Sequence, residues 1–165
     1  MSSEDCNDKK LSKITKDSLL IARLLKAFNM SGCNSTEIIT KHLTNSSNDT
    51  SELRGQLAHD LILEYDRCRA HFNDLNIRHL ACSQIRAFNL SGECRWIREL
   101  MKCNTGLFTG YIMHQKECVK RETRNKLLAQ LNSEGKNTWS ESEVDTAIER
   151  VFMRCYMDTE PLWHP

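Results

Sequence analysis

Proline and glycine are scarce in this sequence. Of 165 residues, two are proline, at Pro161 and Pro165, and six are glycine. Because proline interrupts the hydrogen bonding of a helix interior, a chain nearly free of it has few forced helix ends. The alternation of β-branched and polar residues that is typical of strands is also missing, whereas Leu, Lys, Glu, Arg and Ala are plentiful. The sequence therefore predicts an all-α fold.

The chain also lacks a long hydrophobic run and a charge of one sign. The apolar run Leu19–Ala22 is followed at once by Arg23, and no stretch approaches the roughly 20 apolar residues that cross a bilayer. No segment has the character of a secretory signal. The formal net charge of +1 indicates neither a nucleic-acid partner nor an acidic membrane surface. These absences favour a soluble intracellular protein.

Motifs for catalysis are missing as well. The sequence has no Gly-rich phosphate loop, no His-Glu-x-x-His motif and no nucleophile elbow. His59 and Asp66 lie seven residues apart on one face of a predicted helix, but solvated helix faces often carry such pairs. We therefore expect a protein that is not an enzyme, with no metal, no cofactor and no small-molecule substrate.

Hydrophobic spacing predicts six or seven helices in one domain over residues 13–157, between a flexible N-terminus at 1–12 and a C-terminal tail at 158–165. The segment 94–113 is apolar on more than one side, which favours a central helix surrounded by amphipathic ones. Asp17 or Thr15 is the expected N-cap of the first helix. The predicted helices cover about 15–28, 37–43, 53–72, 77–90, 94–113, 115–131 and 140–155.

Two local signals mark helix ends. Gly32 is a plausible stop for the first helix, because glycine adopts the left-handed conformation that often ends helices. Ser140 and Glu143 have the spacing of a capping box, which predicts that the last helix begins there.

Eight cysteines are the least usual feature of the composition. No pair forms C-x-x-C, and no cysteine and histidine have the spacing of a zinc finger. In a cytosolic protein such cysteines are usually reduced and buried, and that is the first expectation. They are Cys6, Cys33, Cys68, Cys82, Cys94, Cys103, Cys118 and Cys155.

Residues 88–98, continuing to 106–108, resemble the first homology motif of the B-cell lymphoma-two (Bcl) family of apoptosis regulators. In that motif an Asn-Trp-Gly-Arg tetrad opens the central hydrophobic helix, and here Arg95 and Ile97 replace its Asn and Gly. The positions at family-like spacings are Gly92, Trp96, Arg98, Gly106 and Phe108.

Three further segments resemble Bcl-family motifs. Residues 17–28 look like the N-terminal homology helix, and Leu57, Leu61 and Asp66 look like the third homology motif. Trp139, just before the last amphipathic helix, is similar to part of the second motif. The resemblance implies a bundle around a central hydrophobic helix, in a divergent member of the family.

The resemblance also implies a function. Such a protein receives the amphipathic helix of a pro-apoptotic partner in a surface groove, where Arg98 would pair with an aspartate of the partner. We expect a pro-survival regulator in the cytoplasm or at the mitochondrial outer membrane, with dimerisation left open. The remaining predicted groove residues are Leu61, Tyr65, Cys68, Phe72, Ile85, Phe88, Arg95, Trp96, Ile97 and Leu100.

An alternative interpretation uses the cysteines. Cys68 and Cys82 are separated by 13 residues, and Cys103 and Cys118 by 14. Pairing Cys68 with Cys118 and Cys82 with Cys103 would fasten a helical hairpin. This arrangement resembles small twin-cysteine proteins of the mitochondrial intermembrane space, and implies a structural or assembly role.

Overall fold

The fold is all-α. A computed structural model describes residues 18–44, 50–94, 111–133 and 139–162, and these contain six helices and no strand. The prediction of an all-α fold is therefore confirmed. None of the described helices is long and apolar enough to cross a bilayer. The helices are α1 Leu19–Ser31, α2 Thr36–Thr44, α3 Thr50–Arg69, α4 Ile77–Leu90, α5 Tyr111–Ser133 and α6 Glu141–Met157.

The chain divides into two compact units. The first comprises Met1–His71 together with Thr159–Pro165, and the second comprises Phe72–Asp158. The first unit contains α1, α2 and α3, and the second contains α4, α5 and α6. One domain over 13–157 stays a prediction.

In the first unit, α1 and α2 both pack against α3. Ile21, Leu24 and Phe28 are fully buried on one face of α1, because residues three and four apart point the same way. Phe28 meets the ring of Tyr65 on α3 at 5.8 Å between ring centroids. Helix α1 therefore buries one face, as expected of an amphipathic helix in the region predicted at about 15–28.

The ends of α1 follow local rules, with one correction. Ser18 is the N-cap and its hydroxyl accepts from the Ile21 amide at 3.4 Å, so neither Asp17 nor Thr15 caps this helix. Gly32 ends the helix at φ 70° and its amide donates to the Phe28 carbonyl, as predicted. A left-handed residue at this position satisfies a terminal carbonyl at little steric cost to glycine.

In the second unit, α4 packs against both α5 and α6. From Ser83 to Phe88 every side chain of α4 is buried, so α4 is the innermost described helix of this unit. Its core neighbours are Cys94, Cys118, Val119, Leu127, Val144, Ile148, Phe152 and Cys155.

The predicted helix boundaries need two corrections. The helix predicted over about 53–72 ends at Arg69, the last residue of α3. The sequence predicts that the central helix ends at Met113 and that the next helix begins at Gln115. Both positions lie within one helix, because α5 begins at Tyr111. Most of that predicted central helix, residues 95–110, lies outside the described residues.

The predicted capping box opens α6. The Ser140 hydroxyl accepts from the Glu143 amide at 3.3 Å, and the Glu143 carboxylate accepts from the Ser140 amide at 2.7 Å. These bonds satisfy two amides that have no partner within the helix. They also hold the pKa of Glu143 below its usual value.

Candidate functional site

Two buried titratable side chains of the first unit lie on one polar face of α3. His59 and Asp66 each have a relative exposure of 5%, and half-buried Leu63 lies between them in sequence. Positions 59, 63 and 66 are four and three residues apart, so they lie on one helix face. Buried polar groups of this kind are uncommon in a helix core, and they single out this face as a candidate site.

Asp60 joins α3 to α2 through two histidines. Its Oδ2 lies 2.9 Å from His42 Nε2, and its Oδ1 lies 3.5 Å from His59 Nδ1. Burial by itself would raise the pKa of Asp60. Hydrogen bonds and positive charge from His59 and His42 outweigh that effect and lower the pKa to about 2. Asp60 is therefore an ionised carboxylate held between two imidazoles.

Asp66 is held by an arginine at the end of the same helix. Arg69 Nε donates to Asp66 Oδ1 at 3.1 Å, and Arg69 Nη1 donates to Glu160 Oε2 at 2.6 Å. The same guanidinium lies 5.7 Å from the centroid of the Tyr65 ring. Arg69 thus connects the end of α3 to the segment after residue 158 and compensates the buried charge of Asp66.

Four of the predicted groove residues are buried core residues. Leu61 and Tyr65 are buried in the first unit, and Ile85 and Phe88 are buried in the second. Phe72 lies 5.9 Å from His79 between ring centroids. The remaining predicted residues, other than Cys68, lie outside the described residues: Arg95, Trp96, Ile97, Arg98 and Leu100.

Trp139 lines an open cleft in the second unit. The cleft has a volume of about 300 Å³ and lies where α4 and α6 begin. Arg78 and Arg150 line it together with the capping residue Glu143.

Six cysteines form three disulfides, each within one unit. Their Cα–Cα distances are 6.1, 5.3 and 5.7 Å, within the range of about 4.4–6.8 Å usual for disulfides. The expectation of reduced cysteines is wrong for these six, and so are the pairings of Cys68 with Cys118 and Cys82 with Cys103. The bonds are Cys33–Cys68, Cys82–Cys155 and Cys94–Cys118.

Comparison with known proteins decides the family. The sequence model of the Peptidase M76 family matches residues 28–163. This chain belongs to the Peptidase M76 family. The match includes α3, its polar face and all three disulfides. No solved structure matches the chain.

The Peptidase M76 chain is similar to mitochondrial inner membrane proteases. It is 35% identical to the mitochondrial inner membrane protease ATP23 homolog of Homo sapiens over 118 residues, covering 71% of this chain and 44% of that protein. It is 37% identical to the Xenopus laevis homolog over 120 residues, covering 71% and 46%. The Schizosaccharomyces pombe protease atp23 is 39% identical over 105 residues, covering 64% and 52%. The matched region thus spans about half the length of these relatives.

These matches overturn several predictions from the sequence. The chain is not a member of the Bcl family, and apoptosis regulation by binding pro-apoptotic helices is contradicted. The expectation that it is not an enzyme is contradicted by its membership of a peptidase family. The predicted cytoplasmic or outer-membrane location is contradicted by relatives of the mitochondrial inner membrane. The Bcl resemblance misled because apolar, aromatic and arginine residues at helical spacing recur in unrelated bundles.

One established arrangement for peptide hydrolysis on a helix can be tested against these residues. In a His-Glu-x-x-His helix, two histidines four residues apart bind zinc and the glutamate acts as general base. The nearest sequence is His59-Asp60-Leu61-Ile62-Leu63, in which Leu63 stands where the second histidine would be. Within the described parts of the chain, no three His, Cys, Asp or Glu side chains are placed to hold a metal ion. The residues present do not fit a zinc ion bound in this way.

Proposed function

We propose that this chain acts on proteins at the mitochondrial inner membrane, from the intermembrane space, as a disulfide-stabilised member of the Peptidase M76 family. The observation that carries the proposal is the family match over residues 28–163. Relatives with 35–37% identity over 71% of the chain are mitochondrial inner membrane proteases. Their names support a protein substrate and a role in substrate processing.

The disulfides support the proposed compartment. Disulfides persist where the surroundings are oxidising, and they are rare where thiol reductants are abundant. Three disulfides in a chain of 165 residues favour an oxidising compartment over the cytosol. A disulfide-stapled helical protein of the intermembrane space was the alternative predicted from the sequence, and the disulfides support that part of the alternative.

The polar face of α3 is the proposed working surface for the substrate. It carries the buried side chains of His59 and Asp66, and Arg69 and Asp60 fix its two ends through ion pairs. A fixed arrangement of polar groups is what selective recognition of a protein segment requires. The substrate is proposed to lie against the half-buried part of α3 at Asp60 and Leu63, since His59 and Asp66 are themselves buried.

Protease protection in isolated mitochondria tests the location. The epitope-tagged chain is expected to resist added protease in intact mitochondria and to be degraded once the outer membrane is opened by swelling. A matrix protein, which stays protected after swelling, is the control. Recovery in the cytosol, or protection that survives swelling, would contradict the proposal.

Photocrosslinking tests the substrate surface. A photoreactive residue at Leu63 is expected to capture proteins of the inner membrane, and one at exposed Met153 on α6 is expected to capture few of them. Equal capture from both positions would contradict a working surface on α3.

A further inference from the structure

We infer that the cleft where α4 and α6 begin is a binding site for a short acidic and apolar segment of another protein. Arg78 and Arg150 line this cleft together with the indole of Trp139. A carboxylate of the segment pairs with the arginines, and a neighbouring apolar side chain lies against the indole. All residues that line the cleft belong to the second unit, so the inference does not depend on the working surface proposed on α3.

Helical spacing turns one face of α6 towards the cleft. Glu143, Thr146, Ala147 and Arg150 all line it, and positions three and four residues apart lie on the same side of a helix. Ile77, the first residue of α4, also lines the cleft and adds apolar surface. The volume of about 300 Å³ is at the lower end of the range usual for ligand sites, which suits a short segment rather than a whole helix.

The charge of the two arginines is not compensated within the part of the chain that the structure describes. Arg78 and Arg150 are both exposed, and neither guanidinium has a hydrogen bond or an ion pair with another described residue. Glu143 also lines the cleft, but its carboxylate accepts from the amide and the hydroxyl of Ser140. Two uncompensated guanidinium groups favour a carboxylate ligand, which such a group can bind through two parallel hydrogen bonds.

The other acids of α6 are paired with basic residues of α5. Arg124 donates to Glu141 at 2.9 Å and to Asp145 at 2.7 Å. Lys120 donates to Glu149 at 2.7 Å. Because these pairs and the capping box occupy the acids of α6, a bound segment has to supply the negative charge that the cleft lacks.

A protein segment suits this cleft better than an acidic membrane surface does. Recognition of acidic lipid typically uses clusters of about four to eight basic residues, whereas Arg78 and Arg150 are the basic residues that line the cleft. The exposed carboxylates of Glu141, Asp145 and Glu149 would be repelled by an anionic surface. The favoured ligand is therefore an acidic residue next to an apolar one.

The test is fluorescence anisotropy of a labelled peptide, Gly-Gly-Asp-Leu-Phe-Glu-Gly-Gly, titrated with the purified full chain. We expect saturable binding at low salt that weakens as salt is added, because exposed charges are screened. A counterpart peptide in which both carboxylates become amides should bind about tenfold more weakly. A counterpart in which Gly replaces Leu and Phe should also bind more weakly, since the apolar contact is lost.

Matched variants make the test specific to the cleft. Arg78→Gln/Arg150→Gln should weaken binding of the acidic peptide about tenfold. Arg67→Gln/Lys126→Gln removes two positive charges outside the cleft and should leave binding nearly unchanged, since screening limits distant charges. Thr146→Trp should abolish binding by filling the cleft. All five positions are exposed, so each variant is expected to keep the Tm of the wild type.

Three results would overturn the inference. They are no saturable binding of the acidic peptide by the wild type, equal loss of binding in the two double variants, and undiminished binding by Thr146→Trp. Binding to vesicles of phosphatidylcholine and cardiolipin that Arg78→Gln/Arg150→Gln abolishes, without binding of the peptide, would assign the cleft to a membrane surface instead. None of these results bears on the protease-protection experiment.

Discussion

The carboxylate of Asp60 shows how one residue can be fixed by its neighbours. It lies between His42 on α2 and His59 on α3, and these partners lower its pKa to about 2 despite burial. In a His-Glu-x-x-His helix this position carries the general base. In this chain the shorter acid is instead part of the contact between α2 and α3.

Asp60→Asn is predicted to destabilise the protein at neutral pH and not at strongly acid pH. The folded pKa of about 2 lies below the ordinary 3.8, so the ionised carboxylate stabilises the fold above about pH 4 and loses this effect as the pH falls towards 2. Since the side chain is 36% exposed, solvent screening limits the contribution to about 1 kcal/mol.

Urea unfolding of wild type and Asp60→Asn at pH 7 and at pH 2.5 measures this difference. Glu117→Gln, at an exposed position of α5, is the control and should show no comparable pH dependence. A stability difference that is as large at pH 2.5 as at pH 7 would contradict the assignment.

Arg86 is the residue whose burial most needs explanation. It is 1% exposed, the largest fully buried side chain described. Its Nη1 donates to the Asp158 carbonyl at 2.8 Å and forms an ion pair with the Asp158 carboxylate. Nearby, Asn89 Nδ2 donates to the Tyr156 carbonyl at 2.9 Å. These bonds attach the end of α6 to α4.

Arg86→Met is predicted to destabilise the chain by only about 1 kcal/mol, because it removes the buried charge itself and leaves the carboxylate of Asp158, which is 34% exposed, to be solvated by water. Asp158→Asn should cost more, about 3 kcal/mol, because it removes the negative charge that compensates the guanidinium of Arg86, which is 1% exposed. Chemical unfolding monitored by circular dichroism gives both values. The reverse order of the two variants would refute this account of Arg86.

At the scale of helices, the spacing of apolar residues made the helices predictable from the sequence. Ile21, Leu24 and Phe28 repeat at helical spacing because α1 buries one face, and such spacing is what predicts a helix over about 15–28. The end of α3 was less predictable, since the apolar stripe continues to Phe72 after the helix ends at Arg69. Local pattern gives the face of a helix more reliably than its last residue.

The candidate site was only partly predictable. Helical spacing puts His59 and Asp66 on one face of α3 in the sequence alone. The approach of His42 across 18 residues of sequence depends on packing between helices, which spacing within one helix does not reveal. Disulfide pairing was unpredictable for the same reason, because eight cysteines allow about 105 complete pairings.

The disulfide between α4 and α6 is predicted to be a major source of stability. Cys82 and Cys155 are 73 residues apart in sequence, and closing a loop of that length lowers the entropy of the unfolded chain by an amount worth about 4 kcal/mol. The double variant Cys82→Ala/Cys155→Ala should lose about 3–4 kcal/mol under oxidising conditions.

Thermal and urea unfolding with and without reductant measure this loss. With reductant the two proteins should be about equally stable, since reduction breaks the Cys82–Cys155 bond in the wild type and the other two disulfides in both proteins. Equal stability of the two proteins without reductant would show that this bond contributes nothing.

At the scale of the whole molecule, family membership and local chemistry give different information. The match over residues 28–163 places the chain among peptidases, whereas the His59–Leu63 turn lacks the residue that would complete a zinc pair. The matched region spans about half the length of the relatives.

We propose a disulfide-stabilised protein that works in the mitochondrial intermembrane space. The most direct measurement is the intact mass of the chain isolated from mitochondria, after alkylation with and without prior reduction. We predict that at least six of the eight cysteines resist alkylation until the protein is reduced, in the pairs Cys33–Cys68, Cys82–Cys155 and Cys94–Cys118. Alkylation of all eight cysteines without reduction would contradict the account.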